Sequence, residues 1–508
     1  MKKIVLLLLF VGSVFLSYAA YLEKVPVTLV QPNGDTLRCF ATGAEFYHRL
    51  HAAQGYTIVK NPETGYFVYA QHDAAGELVP SSLVAGGNTP KAALDTKGIR
   101  PHLMPSDREL VRLHKAWDIP EECQAAAAPK SGTTNRGTIN NLVIFIRFSD
   151  DSGISTPFST INSMFNDSSA NGNSMLNYFR NASYGQLTLR SHFYPAPNGN
   201  TVVSYQDSYP RSHYEPYDAV SNPNGYTDRQ VTKFGLLERC INWVNSHCNI
   251  PSSLNLDYDN DGNIDNITFI IKGVPSGWSD LLWPQRSALY DRYVYINGKR
   301  VYNFNLQLEG AGSALFNTGT LCHEMFHTLG APDLYHYYNY TAVHPVGYWD
   351  LMGVDLDPPQ HPSAFMKAIY GNWIDNIPMI ALPGTYTLYS LADQTIPAGA
   401  TRCYTIPSPD PDQCYILEYR DDMERFETSL PWGGLLVWRV DFNYSGCAQF
   451  DGSTVLDGIY VFRPGTISDT TSGLLVEAPM GAHRGMPTFT PLTDPFPFLN
   501  HNQRDTTF

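Results

Sequence analysis

The chain has 508 residues, enough for about three domains of roughly 150 residues each. Its net charge of −14, with only 16% charged residues and no basic cluster, argues against nucleic acid as a partner. A chain so poor in charge and so rich in Tyr, Gly, Asn and Thr reads as an extracellular, turn-rich, β-containing protein.

The first residues, MKKIVLLLLFVGSVFLSYAA, set two lysines ahead of an apolar run from Ile4 to about Leu16, with small residues at Ser17 and Ala19. That order predicts a secretory signal peptide over 1–20, cut after Ala19 or Ala20. The run falls short of the ~20 residues a spanning helix needs. No later stretch is long and apolar enough to span, so an exported protein without a stable membrane anchor is expected. The eight cysteines suit an oxidising compartment, and Cys240 with Cys248, and Cys403 with Cys414, are close enough in sequence to be candidate pairs.

Residues 21–137 read as a β-rich unit followed by a linker. VPVTLVQPNGDTLRCF, from Val25 to Phe40, is two strand-like runs about a Pro-Asn-Gly-Asp turn. Ser106 is placed to cap a helix reaching about Trp117, and Gln124 to Thr138 has the Ala, Ser, Thr and Gly content of a segment open to proteolysis.

Residues 138–378 hold the chemistry. NLVIFIRF, from Asn141 to Phe148, predicts a buried strand. Helices are expected from about Ser174 to Asn181 and from Gln230 to Ser246. Asp257, Asp259, Asp261, the Asn263 carbonyl and Asp265, with Gly262 at the sharp turn, follow the oxygen spacing of a calcium-binding loop. Thr268 stands where that loop needs a bidentate Glu, and a metal-free Asp/Asn/Gly turn is the competing reading. Then comes LCHEMFHTLGAPD, from Leu321 to Asp333. His323 and His327, four apart, share one face of a helix and can grip one ion. Glu324 lies about 100° further round, where it reaches a metal-held water as general base. Gly330 ends the helix and returns the chain so that Asp333 becomes the third ligand, leaving the fourth place to water. Cys322 reads as a buried small residue, and His336 and His344 are alternatives to Asp333. Tyr348 either hydrogen-bonds a transition-state oxyanion or packs. The run from His361 to Trp373 predicts a helix capped by its Pro-Ser start. Residues 379–508, with short alternating runs such as CYILEYR and GLLVWRVDF, predict a C-terminal β domain, sandwich-like or an irregular β appendage.

The runs HEMFHTLGAPDLY and GYWDLMG resemble the secreted zinc metallopeptidases of the immune inhibitor A family, relatives of the metzincins, and the resemblance extends to YILEYR and LPWGGLLVWRVD. It implies an α/β (α+β) metzincin-like peptidase domain, Asp in the third-ligand place, Met352 in a methionine turn under the metal, and an N-terminal prosegment. The reading is a secreted zinc endopeptidase acting on protein or peptide substrates, with Zn2+ and Ca2+ bound. In the prosegment Cys39 or Asp35 is a candidate to silence the open metal position. The rival is a secreted adhesin or binding module with an inactive inherited site.

Overall fold

A computed structural model describes residues 22–44, 46–86, 91–106, 108–110, 112–113, 135–310, 316–336, 345–442 and 457–462. The expected signal peptide, most of the linker, His344 and the stretch 463–508 lie outside these residues. The protein is a mixed α/β structure with several sheets and few helices.

Two three-stranded antiparallel sheets come first. One joins β1 (Leu22–Val30), β2 (Thr36–Gly43) and β3 (His48–His51); the other joins β4 (Ile58–Lys60), β5 (Phe67–His72) and β6 (Leu78–Val84). A short helix α1 (Lys91–Thr96) follows. Ser106 caps as expected, its Oγ accepting the Glu109 amide at 3.2 Å.

The central sheet has six strands: β7 (Gly137–Arg147), β8 (Leu187–Phe193), β9 (Tyr205–Gln206), β10 (Asn266–Ile271), β11 (Gln285–Ala288) and, after the hairpin β12 (Val294–Ile296) and β13 (Lys299–Val301), β14 (Asn303–Leu308). Its order is β11-β14-β10-β7-β8, with β9 beside β7 and only β11 antiparallel to its neighbour. Between β7 and β8 run α2 (Phe158–Asn166) and α3 (Met175–Ala182), the latter capped by the Ser174 hydroxyl. The long helix α4 (Arg229–His247) starts on the Asp228 carboxylate.

Alternation along the strands sends side chains to two cores. Leu142, Ile144 and Ile146 of β7 pack with Phe234, Leu237 and Ile241 of α4 and, in the same cluster, with Val27, Leu29 and Cys39 of the N-terminal sheets. Val143, Phe145 and Ile270 face the other way, onto Phe179 of α3 and Leu321, Met325 and Phe326 of α5 (Thr318–Thr328). Truncating a buried ring such as Phe326 to Ala costs roughly 3–5 kcal/mol.

After α6 (Ala364–Ile369) the described C-terminal residues form one antiparallel sheet, β15 (Cys403–Pro407), β16 (Gln413–Arg420), β17 (Gly434–Asp441) and β18 (Ile459–Val461). Ile416, Leu436, Trp438 and Val440 of this sheet close onto the core of α5, while 443–456 and 463–508, which belong to the expected β-sandwich-like domain, lie outside the described residues. The suggested cysteine pairs fail, since all four thiols are free. Cys240 and Cys248 are eight residues apart along α4 and its cap, a rise of ~12 Å. In the β15/β16 register Cys403 faces Glu418, and Cys414 faces Pro407.

Candidate metal centre

The helix α5 begins on Asn317, whose side chain accepts the Thr320 amide at 2.9 Å. It ends where Gly330 takes φ of 110°, a conformation that suits glycine. The Gly330 amide then donates to His327 O at 2.9 Å and the Ala331 amide to Phe326 O at 3.0 Å. This paired closure turns the chain back under the helix and delivers Asp333 to the two histidines.

His323 Nε2 lies 3.0 Å from His327 Nε2. Asp333 Oδ1 stands 3.1 Å from the first and 3.3 Å from the second. All three residues are buried and form a group able to hold a metal ion. The other ring nitrogens fix the tautomers. His323 Nδ1 contacts Leu351 O at 3.1 Å and His327 Nδ1 contacts Ala331 O at 2.7 Å. A carbonyl only accepts, so each Nδ1 carries a hydrogen, which leaves Nε2 as the nitrogen of each ring able to take a metal ion. Two ring nitrogens and a carboxylate oxygen thus face one another, an arrangement that could hold a cation. Donor atoms around a tetrahedral zinc at ~2.0–2.1 Å lie ~3.3 Å from one another, so the spacing fits.

The electrostatics agree. At His323 burial opposes charge, but the hydrogen bond and charge of Asp333 outweigh it and carry the ring up to about 9. At His327 burial wins and the pKa falls. Burial would raise Asp333, yet His327 and His323 hold it down at about 2. The trio as a whole therefore draws positive charge.

Glu324 is fully buried on the same helix and outside the three-donor group. Met352 is buried; its carbonyl accepts the Leu334 amide at 2.8 Å, and its amide donates to Asp350 Oδ1 at 2.9 Å. Tyr348 is 39% exposed on the turn Gly347–Trp349, so it does not pack into the core. His336 is turned to Asp457, 2.6 Å away, and takes no part in the group, which corrects its candidacy as third ligand.

Cys39 belongs to the core on the α4 side of the sheet, with its thiol pushed up to about 11 by burial. Neither it nor the exposed Asp35 joins the metal group, so the proposed silencing of the open position by either is not the arrangement found.

In the second motif Asp257, Asp259 and Asp261 come together, and Gly262 has φ of 91°. Asp265 stands apart and accepts the Tyr258 amide at 3.0 Å. The Asn263 amide donates to Asp261 Oδ1 at 2.6 Å. Lys299 Nζ sits 2.7 Å from Asp257 Oδ2, a cation already at the loop. Thr268 is buried in β10 and points to Asn141.

Sequence reasoning missed Asp350 and Asp355. Asp350 is buried, joins Met352 N to Ser363 N (2.7 Å), and its acid is raised by burial. Asp355 accepts the Thr320 hydroxyl at 2.7 Å, one helical turn ahead of His323, and burial raises it also. Both lie in the same short run as Met352, where an acid among apolar residues is a readable signal. No family model matches the chain, and no curated protein matches it.

Proposed function

We propose that the chain is a zinc-dependent endopeptidase of the immune inhibitor A kind, with a metzincin-like catalytic unit, exported through residues 1–20. The observation that carries this reading is the convergence of His323, His327 and Asp333 at 3.0–3.3 Å with Glu324 buried beside them. His323 and His327 would hold the ion through Nε2, and Asp333 through Oδ1. With zinc held there, its Lewis acidity would lower the pKa of a water to about 7 and polarise the scissile carbonyl. Glu324 takes the proton of the attacking water on its carboxylate and hands it to the leaving amine nitrogen. Leu351 O and Ala331 O keep both imidazoles in the ligating tautomer throughout. Tyr348, whose side chain reaches solvent, is the candidate donor to the oxyanion.

Calcium at Asp257, Asp259 and Asp261 belongs to the same reading, as a brace at the start of β10. The N-terminal sheets are read as a prosegment. The test is digestion of casein or gelatin by purified protein cut between Lys130 and Arg136, with and without a zinc chelator. Proteolysis abolished by the chelator and restored by zinc is the expected result; casein left intact by the zinc-loaded protein overturns the reading.

A further inference from the structure

The inner strands of a parallel sheet covered on both faces are normally apolar, but here a row of polar side chains crosses them on the face that carries α5. Asn141 of β7 donates from Nδ2 to Ser191 Oγ of β8 at 3.1 Å. Asn266 of β10 donates from Nδ2 to Asn141 Oδ1 at 2.8 Å, and Thr268 Oγ1 donates to the same oxygen at 3.0 Å. The hydroxyl of Thr328, in the last turn of α5, faces Asn305 Oδ1 of β14 at 3.0 Å and Asn266 Oδ1 at 3.2 Å. Ser191, Asn141, Asn266, Thr268 and Asn305 are all buried. The strand register makes the row continuous: Asn141 lies opposite both Ser191 and Asn266, and Thr268 opposite Asn305.

The backbone ladder already fixes the strands, so these amides are not needed to align them. Their row ends on the helix, at the residue next to His327. Successive helical residues lie about 100° apart, so pinning Thr328 to the sheet fixes where the His327 ring points. A metal site tolerates errors of only ~0.5 Å and 10–20° in its ligands.

We propose that Thr328, with Asn305 and Asn266 behind it, is a positioning residue that sets the rotation of α5 and so the approach of His327 to Asp333. The proposal rests on the metal-site reading above, and its test is read without substrate. Zinc affinity is measured by chelator competition on folded wild type, Thr328→Val and Thr328→Ser. The valine keeps the shape and loses the hydroxyl, and is expected to weaken zinc binding 10–100-fold, the usual loss when a ligand's supporting contact is removed. The serine restores the hydroxyl and is expected to bind within about threefold of wild type. In casein digestion Thr328→Val should lower kcat and leave KM unchanged. If Thr328→Val does not fold, Asn305→Ser withdraws the partner from the other side and is read in the same way. A folded Thr328→Val or Asn305→Ser with wild-type zinc affinity overturns the proposal. A wild-type protein that binds zinc but spares casein overturns the peptidase reading alone.

Discussion

His323 gives its Nδ1 hydrogen to the carbonyl of Leu351 at 3.1 Å, so the first histidine of the metal group hangs on the residue before Met352. The same turn holds the segment of Asp333, through Leu334 N and Met352 O at 2.8 Å. Two of the three donors are thereby referred to one short loop, and that loop is tied by Asp350.

Asp350→Ala should therefore cost more than a surface acid. It strands the buried amides of Met352 and Ser363, a loss of about 2–6 kcal/mol for two unmet donors. Urea unfolding of the variant checks this; a midpoint equal to wild type would falsify the tie.

Glu324→Gln should keep the metal and lose hydrolysis by 10²–10⁴-fold, since it removes a base and no donor. Metal content and casein digestion are measured on one preparation. Cleavage at the wild-type rate would remove Glu324 from its role.

Calcium should raise the melting temperature of the zinc-loaded protein, because a ligand held only by the native state stabilises by about 2.7 kcal/mol at a hundredfold excess over its Kd. Lys299→Met removes the ammonium 2.7 Å from Asp257 and should lower the calcium needed for the half effect. A melting curve indifferent to calcium, with zinc held constant, speaks against the site.

Cys39 predicts a loss of stability in alkali. Burial raises its thiol from 9.0 to about 11 in the fold, so the unfolded chain releases that proton first. Its contribution is complete below pH 9 and drains away as the pH rises towards 11, about 2.7 kcal/mol in all and about 1.3 kcal/mol by pH 10. The drop in stability from pH 8 to pH 10, compared between wild type and Cys39→Ala, isolates it; equal drops would show that this thiol does not titrate as described. The same variant should be as latent, or as active, as the unaltered protein.

Much of the metal group was legible because it is local. HExxH spacing, Gly330 and Asp333 lie within eleven residues, and helix geometry with a positive-φ closure is enough to bring them together. The helices beginning at Ser174 and near Gln230 were legible from capping and period. What failed depended on register. Cys403 and Cys414 looked like neighbours until β15 and β16 aligned four positions out of step for them. The bond from Asn266 to Asn141 spans 125 residues and needs two parallel strands paired in one register, which no single stretch announces. Cys39 is a metal donor by its chemistry alone, whereas its surroundings of Val27 and Leu29 make it part of a core.

The N-terminal sheets are joined to the rest by more than the chain. His48 stacks on Trp283 with ring centroids 4.1 Å apart, its Nε2 lies 3.5 Å from Asp280, and Lys60 reaches Asp218 at 3.3 Å. A cut between Lys130 and Arg136 breaks none of these contacts, so two fragments should travel together through a sizing column and part only in denaturant. Were the N-terminal sheets a prosegment, as proposed, maturation would take two events, a nick and a later departure, and an assay begun straight after the nick would measure a complex.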